Sequence, residues 1–129
     1  MEQVHRSILV VDDDEGVRES LRQNLEAEGF DVLTATQGEE AFEVLARHEH
    51  PCLILLDMAM PIMDGKEFLS RLEKDEDLRG IPVVVTSASA GRTWAAGARG
   101  FLRKPFGLAR LLEVLTKCVA PVPEPRLGL

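Results

Sequence analysis

The chain contains no tyrosine, a single tryptophan and only two cysteines among its 129 residues. Cys52 and Cys118 are too few for the disulfide framework of a small secreted protein. They also lack the close pairwise spacing of zinc ligands. We therefore expect both to be reduced packing residues without a chemical role.

Basic residues are also scarce, with 15 Lys and Arg against 22 Asp and Glu, which gives a formal net charge of -7. A field of this sign repels the phosphates of nucleic acids and of anionic membranes, so we expect no direct binding to either. No apolar run approaches the roughly 18 residues that span a bilayer. The N-terminus lacks the basic segment and apolar core of a signal peptide. The sequence thus predicts a cytoplasmic protein.

The size and composition are those of one globular domain. Hydrophobic residues make up 45% of the chain and charged residues 29%, which is enough to bury a core but leaves no room for a second domain. We place the domain at residues 1–119. Residues 120–129 contain three prolines in alternate positions and are predicted to be a flexible tail.

Short apolar runs alternate with amphipathic segments along most of the chain. This alternation is typical of βαβ units and a parallel sheet. Hydrophobic periodicity and turn residues predict strands over 7–11, 31–35, 52–56, 83–86 and 100–103. They predict helices over 15–28 and 39–47, after 64–65, between the last two strands, and over 107–118.

Two of the apolar runs end in acidic residues. The run over 8–11 is followed by Asp12, Asp13 and Asp14, and the run over 52–56 is followed by Asp57. Because ligand sites of open α/β sheets lie beyond the carboxyl ends of the strands, these carboxylates are expected to converge. Such carboxylates repel one another unless a cation lies between them, and hard oxygen ligands favour Mg²⁺.

Four segments together carry a family resemblance: ILVVDDDEGVRESL, LILLDMAMPIMDG, IPVVVTSASA and GFLRKPF. In this order they resemble the receiver domain of response regulators in two-component signalling, including the chemotaxis regulators. The resemblance implies a flavodoxin-like, doubly wound α/β fold. Five parallel strands in the order 2-1-3-4-5 would carry helices on both faces.

The resemblance also implies a function as a phosphoacceptor in a two-component phosphorelay. A sensor histidine kinase or a phosphotransfer protein would donate the phosphoryl group with Mg²⁺ as cofactor, and the change would alter affinity for a downstream protein. The only reactions expected of the chain are its own phosphorylation and dephosphorylation, so it would not be a metabolic enzyme.

Residue roles follow from the matched positions. Asp57 would attack the phosphoryl group as a nucleophile. Asp12 and Asp13 would hold Mg²⁺, with Asp57 and the backbone carbonyl of Ala59 as further ligands. Asp14 is interpreted as a helix-start residue, with a contact to a metal-bound water as the alternative.

Lys104 would bring its ammonium group to a phosphoryl oxygen. Ser87 rather than Thr86 is predicted to be the hydroxyl donor, since its distance from Pro82 and the alanine after it match the family. Strand alternation also places the two on opposite faces. Phe101 occupies the family's aromatic switch position. The alternative is that Phe101 is a core residue that does not move.

One segment departs from the family pattern. Only sixteen residues, 88–103, separate Ser87 from Lys104, fewer than receivers usually have, so the fourth helix is predicted to be short. Trp94 lies in this segment and either covers the gap or contacts a partner. Because this helix belongs to the face by which many receivers dimerise, we expect a monomer or weak dimer.

Two other functions fit parts of the sequence. Three acids after an apolar strand also fit the nucleophile and acid of a haloacid-dehalogenase-type phosphatase, but the chain is short and has no late pair of acids beyond Lys104 at a strand end. A pseudo-receiver that serves only as a docking module is opposed by the presence of all the acceptor residues. The shortened fourth helix keeps this second alternative open.

Overall fold

The computed structural model describes residues 6–59, 64–88 and 98–118. Strands and helices alternate along these residues, as the sequence predicts. In chain order they are β1 (Ser7–Val11), α1 (Glu15–Ala27), β2 (Asp31–Ala35), α2 (Gly38–Arg47), β3 (Leu53–Asp57), α3 (Gly65–Glu73), β4 (Val83–Ser87), β5 (Gly100–Arg103) and α4 (Leu108–Cys118).

The five strands form one parallel sheet in the order β2-β1-β3-β4-β5. This order confirms the predicted flavodoxin-like topology. Because the chain reverses its direction of winding after β2, the carboxyl ends of β1 and β3 lie side by side in the middle of the sheet. Ligand sites of doubly wound sheets lie at this switch point.

A hydrophobic cluster covers each face of the sheet. On one face the strands pack against apolar side chains of α2 and α3, and we call this the α2/α3 cluster. On the other face they pack against α1 and α4, which form the α1/α4 cluster. The central strands are buried on both sides, which explains why β1 and β3 are continuously apolar. Cys52 and Cys118 are free thiols and pack against the α1/α4 cluster.

The ends of the strands differ by one residue from the predicted bounds, and the difference matters at the site. Asp57 and Ser87 are the last residues of β3 and β4 rather than the first residues of loops. The ladder continues this far because Asp57 pairs with Thr86, and the Met58 amide donates to the Thr86 carbonyl. The acidic side chain is therefore carried by a rigid strand.

Several sequence predictions lie outside the described residues. They are the short helix over 89–97 with Trp94, and the boundary of the C-terminal tail near residue 119. Among the helices that the structure describes, none has the length and apolarity needed to cross a membrane.

The three helices that follow β1, β2 and β3 begin in two different ways. The N-cap residues of α1 and α3 are Asp14 and Asp64, whose carboxylates accept hydrogen bonds from amides of the first turn. At the start of α2, Glu40 instead accepts from the Thr36 amide at 2.6 Å and from the Thr36 hydroxyl at 2.7 Å. These bonds lower the pKa of Glu40; burial opposes them without cancelling them, and the charge of Arg18 adds a smaller lowering effect.

We expect Glu40→Gln to lower the free energy of unfolding at pH 7 by up to about 1 kcal/mol, because a charge-assisted hydrogen bond at an exposed position is worth no more. Since the pKa of Glu40 is lower in the folded state, the carboxylate stabilises the protein above its unfolded pKa. That contribution is lost as the pH falls through the folded pKa. Urea titrations between pH 3 and 7 should show the difference from wild type vanish in acid. Glu43→Gln, on the exposed side of the same helix, serves as control and should show no such trend.

Candidate functional site

Three carboxylates meet where β1 and β3 end. One oxygen from each of Asp12, Asp13 and Asp57 lies within 4.8 Å of the other two. Asp12 and Asp57 are almost fully buried, with 2% and 6% of their surface exposed, whereas Asp13 is exposed. The convergence predicted from the strand ends is therefore present, and the cluster opens to solvent on the Asp13 side.

Asp12 is hydrogen-bonded through its amide, its carbonyl and both of its carboxylate oxygens. Its amide donates to the Ala35 carbonyl at the end of β2, and its own carbonyl accepts from the guanidinium of Arg18 at 2.8 Å. Its Oδ1 accepts from the Asp14 amide at 2.9 Å and its Oδ2 from the Lys104 ammonium at 2.7 Å. Asp12 is thus the most firmly held member of the cluster.

Asp57 lies in an environment that disfavours its charged form. Burial is the main reason why the pKa of Asp57 is raised, and repulsion from Asp12 and Asp13 adds to the effect. The Ala59 amide, which donates to Asp57 Oδ1 at 3.1 Å, and the charge of Lys104 oppose it without cancelling it. An additional positive charge near Asp57 would therefore be favourable.

The donor set matches a hard divalent cation. Three carboxylate oxygens at this spacing, without nitrogen or sulfur ligands beside them in the cluster, are the ligand type that Mg²⁺ takes in proteins. Two of the three acids are buried, and among the described residues Lys104 alone provides a counter-charge within 4 Å of either of them. The described residues therefore fit a magnesium ion held by few protein ligands and several waters.

Lys104 provides the positive charge of the site. Its Nζ lies 2.7 Å from Asp12 Oδ2 and 3.7 Å from Asp57 Oδ1, and its amide donates to the Ser87 carbonyl at the end of β4. Burial by itself would lower the pKa of Lys104, but the bond to Asp12 and the charges of the three acids raise it instead. The ammonium therefore remains protonated beside Asp57.

Thr86 and Ser87 follow the alternation of β4. Val84 packs in the α1/α4 cluster, whereas Val83 and Val85 pack in the α2/α3 cluster, so the two hydroxyl residues occupy opposite faces. Thr86 is 3% exposed and lies within the strand, while Ser87 is half-buried at its end. The role of the Ser87 hydroxyl stays a prediction.

The remaining predicted residues occupy distinct places. Asp14 is the N-cap of α1 and accepts from the Val17 amide at 3.0 Å, in agreement with its interpretation as a helix-start residue. Phe101 lies half-buried against the α2/α3 cluster. Ala59 is exposed two residues beyond Asp57, and its carbonyl as a metal ligand stays a prediction.

Two features of the site were missed in the sequence. The first is the Arg18 hydrogen bond to Asp12, for which the only signal is a cation one turn into the helix after the acids. The second is the close approach of Gly65 to Met58, where a Cβ on Gly65 would lie 2.9 Å from the Met58 Cα. The Gly65 amide also donates to the Met58 carbonyl, so this glycine closes the loop that follows Asp57.

A largely apolar cavity of about 560 Å³ lies next to Lys104. Helix α1 forms one wall, and the segment from Lys104 to Leu108 forms the other. Leu108, at 39% exposure, is the exposed large apolar side chain in the described part of the chain. The acidic cluster is therefore bordered on the Lys104 side by a concave, largely apolar surface.

Comparisons with known proteins agree with this geometry. The family model described as "Response regulator receiver domain" matches residues 8–116. The chain is 34% identical over 115 residues to the polar-differentiation response regulator DivK of Brucella ovis, covering 85% of this chain and 93% of DivK. It is 43% identical over 108 residues to the response regulator MprA of Mycobacterium leprae, covering 81% of this chain and 47% of MprA. Among solved structures, the chemotaxis protein CheY4 of Vibrio cholerae superposes with a TM-score of 0.83 at 27% identity, covering 90% of this chain and 100% of that one.

We expect Gly65→Ala to destabilise the protein by about 1–3 kcal/mol, because the added methyl group overlaps Met58 and overpacking of this kind costs about that much. Thermal or urea unfolding measures the change. Gly80→Ala is the matched control, since a Cβ there meets no atom within 4 Å and the backbone needs no positive φ. Equal destabilisation by the two substitutions would contradict the role given to the Gly65 contact.

Proposed function

Since this chain belongs to the response regulator receiver domain family, and so serves as a phosphoacceptor module of two-component signalling, we propose that Asp57 is the residue that accepts the phosphoryl group. The observation that carries the proposal is the position of Asp57. It is the last residue of a buried strand, grouped with Asp12 and Asp13 and 3.7 Å from the Lys104 ammonium. The domain is a signalling module and not a metabolic enzyme.

In the proposed reaction, a carboxylate oxygen of Asp57 attacks the phosphorus of a phosphohistidine on the donor protein. The new O–P bond forms as the P–N bond breaks, and the electron pair of that bond returns to the imidazole nitrogen. The product on this chain is an acyl phosphate. Burial of Asp57 in a rigid strand end limits the directions from which the phosphoryl group can approach.

Negative charge on the phosphoryl oxygens must be balanced for this transfer. Lys104 supplies one positive charge at the required distance from Asp57. Asp12, Asp13, Asp57 and the Ala59 carbonyl would hold Mg²⁺, which when bound supplies further positive charge to those oxygens. Lys104 is then shared between Asp12 and the incoming phosphoryl group, which needs only a small movement of its ammonium.

Ser87 and Phe101 would transmit the effect of phosphorylation from Asp57 to the packing of the domain. An aspartyl phosphate adds negative charge and strong acceptor oxygens, and the Ser87 hydroxyl at the end of the neighbouring strand would donate to one of them. Phe101 packs against the α2/α3 cluster on the strand paired with β4. Its ring would respond to this movement through packing alone, since phenylalanine has no hydroxyl.

The chain would also catalyse its own phosphorylation from small phosphodonors and its own hydrolysis. In hydrolysis, water attacks the phosphorus, the O–P bond to Asp57 breaks, and the free carboxylate and inorganic phosphate are released. Both reactions use the same charged groups and need no others from a partner.

The phosphodonor would be a sensor histidine kinase or a phosphotransfer protein, and it would bind over the cavity next to Lys104. A donor must bring its histidine in line with Asp57, so it has to contact the residues that border the site. The cavity between α1 and the segment from Lys104 to Leu108 is the apolar part of that border, and Leu108 is already exposed there.

We expect Asp57→Asn to abolish phosphorylation by a small phosphodonor such as acetyl phosphate in the presence of Mg²⁺, because the amide is not a nucleophile for this transfer. Gel shift with a phosphate-binding acrylamide measures the product. The matched control is Asp14→Asn. Asparagine keeps the N-cap, and Asp14 lies outside the carboxylate cluster, so this variant should be phosphorylated as wild type is. Phosphorylation of Asp57→Asn, or its loss in Asp14→Asn, would contradict the assignment.

We expect Leu108→Glu to slow phosphotransfer from a histidine-bearing donor protein about tenfold, the effect of losing an apolar contact worth more than about 1 kcal/mol. Phosphorylation by acetyl phosphate should not change, because the acceptor groups are intact. Ala109→Glu adds the same charge to the next residue of α4, outside the lining of the cavity, and should transfer at the wild-type rate. A Leu108→Glu variant with normal transfer from the donor protein would show that the donor binds elsewhere.

A further inference from the structure

Arg18 fixes the peptide unit that joins two members of the acidic cluster. It lies one turn into α1 and is half-buried. Its Nη1 donates to the main-chain carbonyl of Asp12 at 2.8 Å. That carbonyl and the Asp13 amide belong to one planar peptide group. Holding the carbonyl therefore sets the plane of the peptide, and with it the direction in which the Asp13 side chain leaves the backbone.

Asp13 depends on this restraint more than its neighbour does. Asp12 is buried and is held through its amide and both carboxylate oxygens. Asp13 is exposed, so packing holds its side chain less than that of Asp12, and its orientation depends more on the hydrogen bonds made by its neighbours. Without the Arg18 bond, rotation of the Asp12–Asp13 peptide would turn the Asp13 carboxylate away from Asp57.

Arg18 also lies within electrostatic range of α2. Its charge contributes, as the smallest of the causes, to the lowered pKa of Glu40. Glu40 is anchored by two hydrogen bonds from Thr36, the residue after Ala35, whose carbonyl accepts the Asp12 amide. The guanidinium thus donates to the backbone of the site and is attracted by the charge of an anchored carboxylate.

We propose that Arg18 is a positioning residue for cation binding, which keeps the carboxylates of Asp12 and Asp13 convergent with Asp57. The inference rests on the proposed function, in which these acids hold Mg²⁺. A positioning role predicts a change in cation affinity opposite to the one that simple electrostatics predicts. Removing a positive charge close to a cation site should tighten cation binding by Coulomb's law, whereas removing a positioning group should weaken it.

The test is Mn²⁺ binding to the full chain, measured from the electron paramagnetic resonance signal of free Mn²⁺. We expect Arg18→Met to raise the dissociation constant about tenfold, as loss of a group that orients metal ligands does. Arg18→Lys keeps the charge and a donor and should recover most of the affinity. Binding by Arg18→Met as tight as wild type or tighter would overturn the proposal, and so would binding by Arg18→Lys no tighter than by Arg18→Met.

Arg22→Met is the matched control. Arg22 lies one turn further along the same helix and pairs with Glu19 on the exposed side, so its loss should leave the dissociation constant unchanged. If Arg22→Met also weakened Mn²⁺ binding tenfold, the effect would come from the helix or from net charge, and the proposal would be overturned. Unfolding temperatures measured in the presence of a chelator show whether each variant is folded. If Arg18→Met is not folded, Arg18→Gln takes its place. Absence of Mn²⁺ binding by the wild-type chain would instead contradict the proposed metal site, and with it this inference.

Discussion

The ion pair between Lys104 and Asp12 joins the end of β5 to the end of β1 across the two strands that lie between them. The rest of the site depends on it. Without the ammonium, two buried carboxylates would face each other with no counter-charge from the described residues within 4 Å. Loss of one partner from a buried pair typically costs about 3–5 kcal/mol. The fold can bring three acids to one edge of the sheet because the last strand delivers a lysine to the same place.

The two faces of the sheet serve the site differently. Asp57 continues the alternation of Leu53 and Leu55, which pack in the α1/α4 cluster, whereas Ser87 continues that of Val83 and Val85 in the α2/α3 cluster. Phe101 also packs against the α2/α3 cluster. By this alternation Asp57, the proposed acceptor, belongs to one face of the sheet and the two proposed switch residues to the other. Asp57 and Ser87 are both the last residues of their strands, so the proposed contact between the Ser87 hydroxyl and a phosphoryl group would form at the carboxyl edge of the sheet.

Much of this arrangement could be predicted from the sequence, since it depends on strands and their ends. Apolar runs followed by acids located Asp12, Asp13 and Asp57, and the alternation of elements predicted a parallel sheet, whose strand order was implied by the family resemblance. The strand ends differed by one residue because pairing of β3 with β4 extends through Asp57 and pairing of β4 with β5 extends through Ser87, which no local pattern reports. The hydrogen bond of Arg18 and the close approach of Gly65 to Met58 were missed for the same reason. Their importance comes from one contact each, with a main-chain oxygen and with Met58, and a contact between side chain and backbone leaves no periodic signal.

The crowding of like charges also links folding to the composition of the solvent. Any cation that binds the native cluster, but not the unfolded chain, raises the free energy of unfolding by an amount that grows with its concentration. At a hundred times the dissociation constant, this gain is about 2.7 kcal/mol. A cluster that is open to solvent at Asp13 and closed at Asp12 and Asp57 would take up such a cation without unfolding. Resistance to heat and to proteases would then depend on the concentration of divalent ions as well as on the chain. The same protein would be more stable in one buffer than in another.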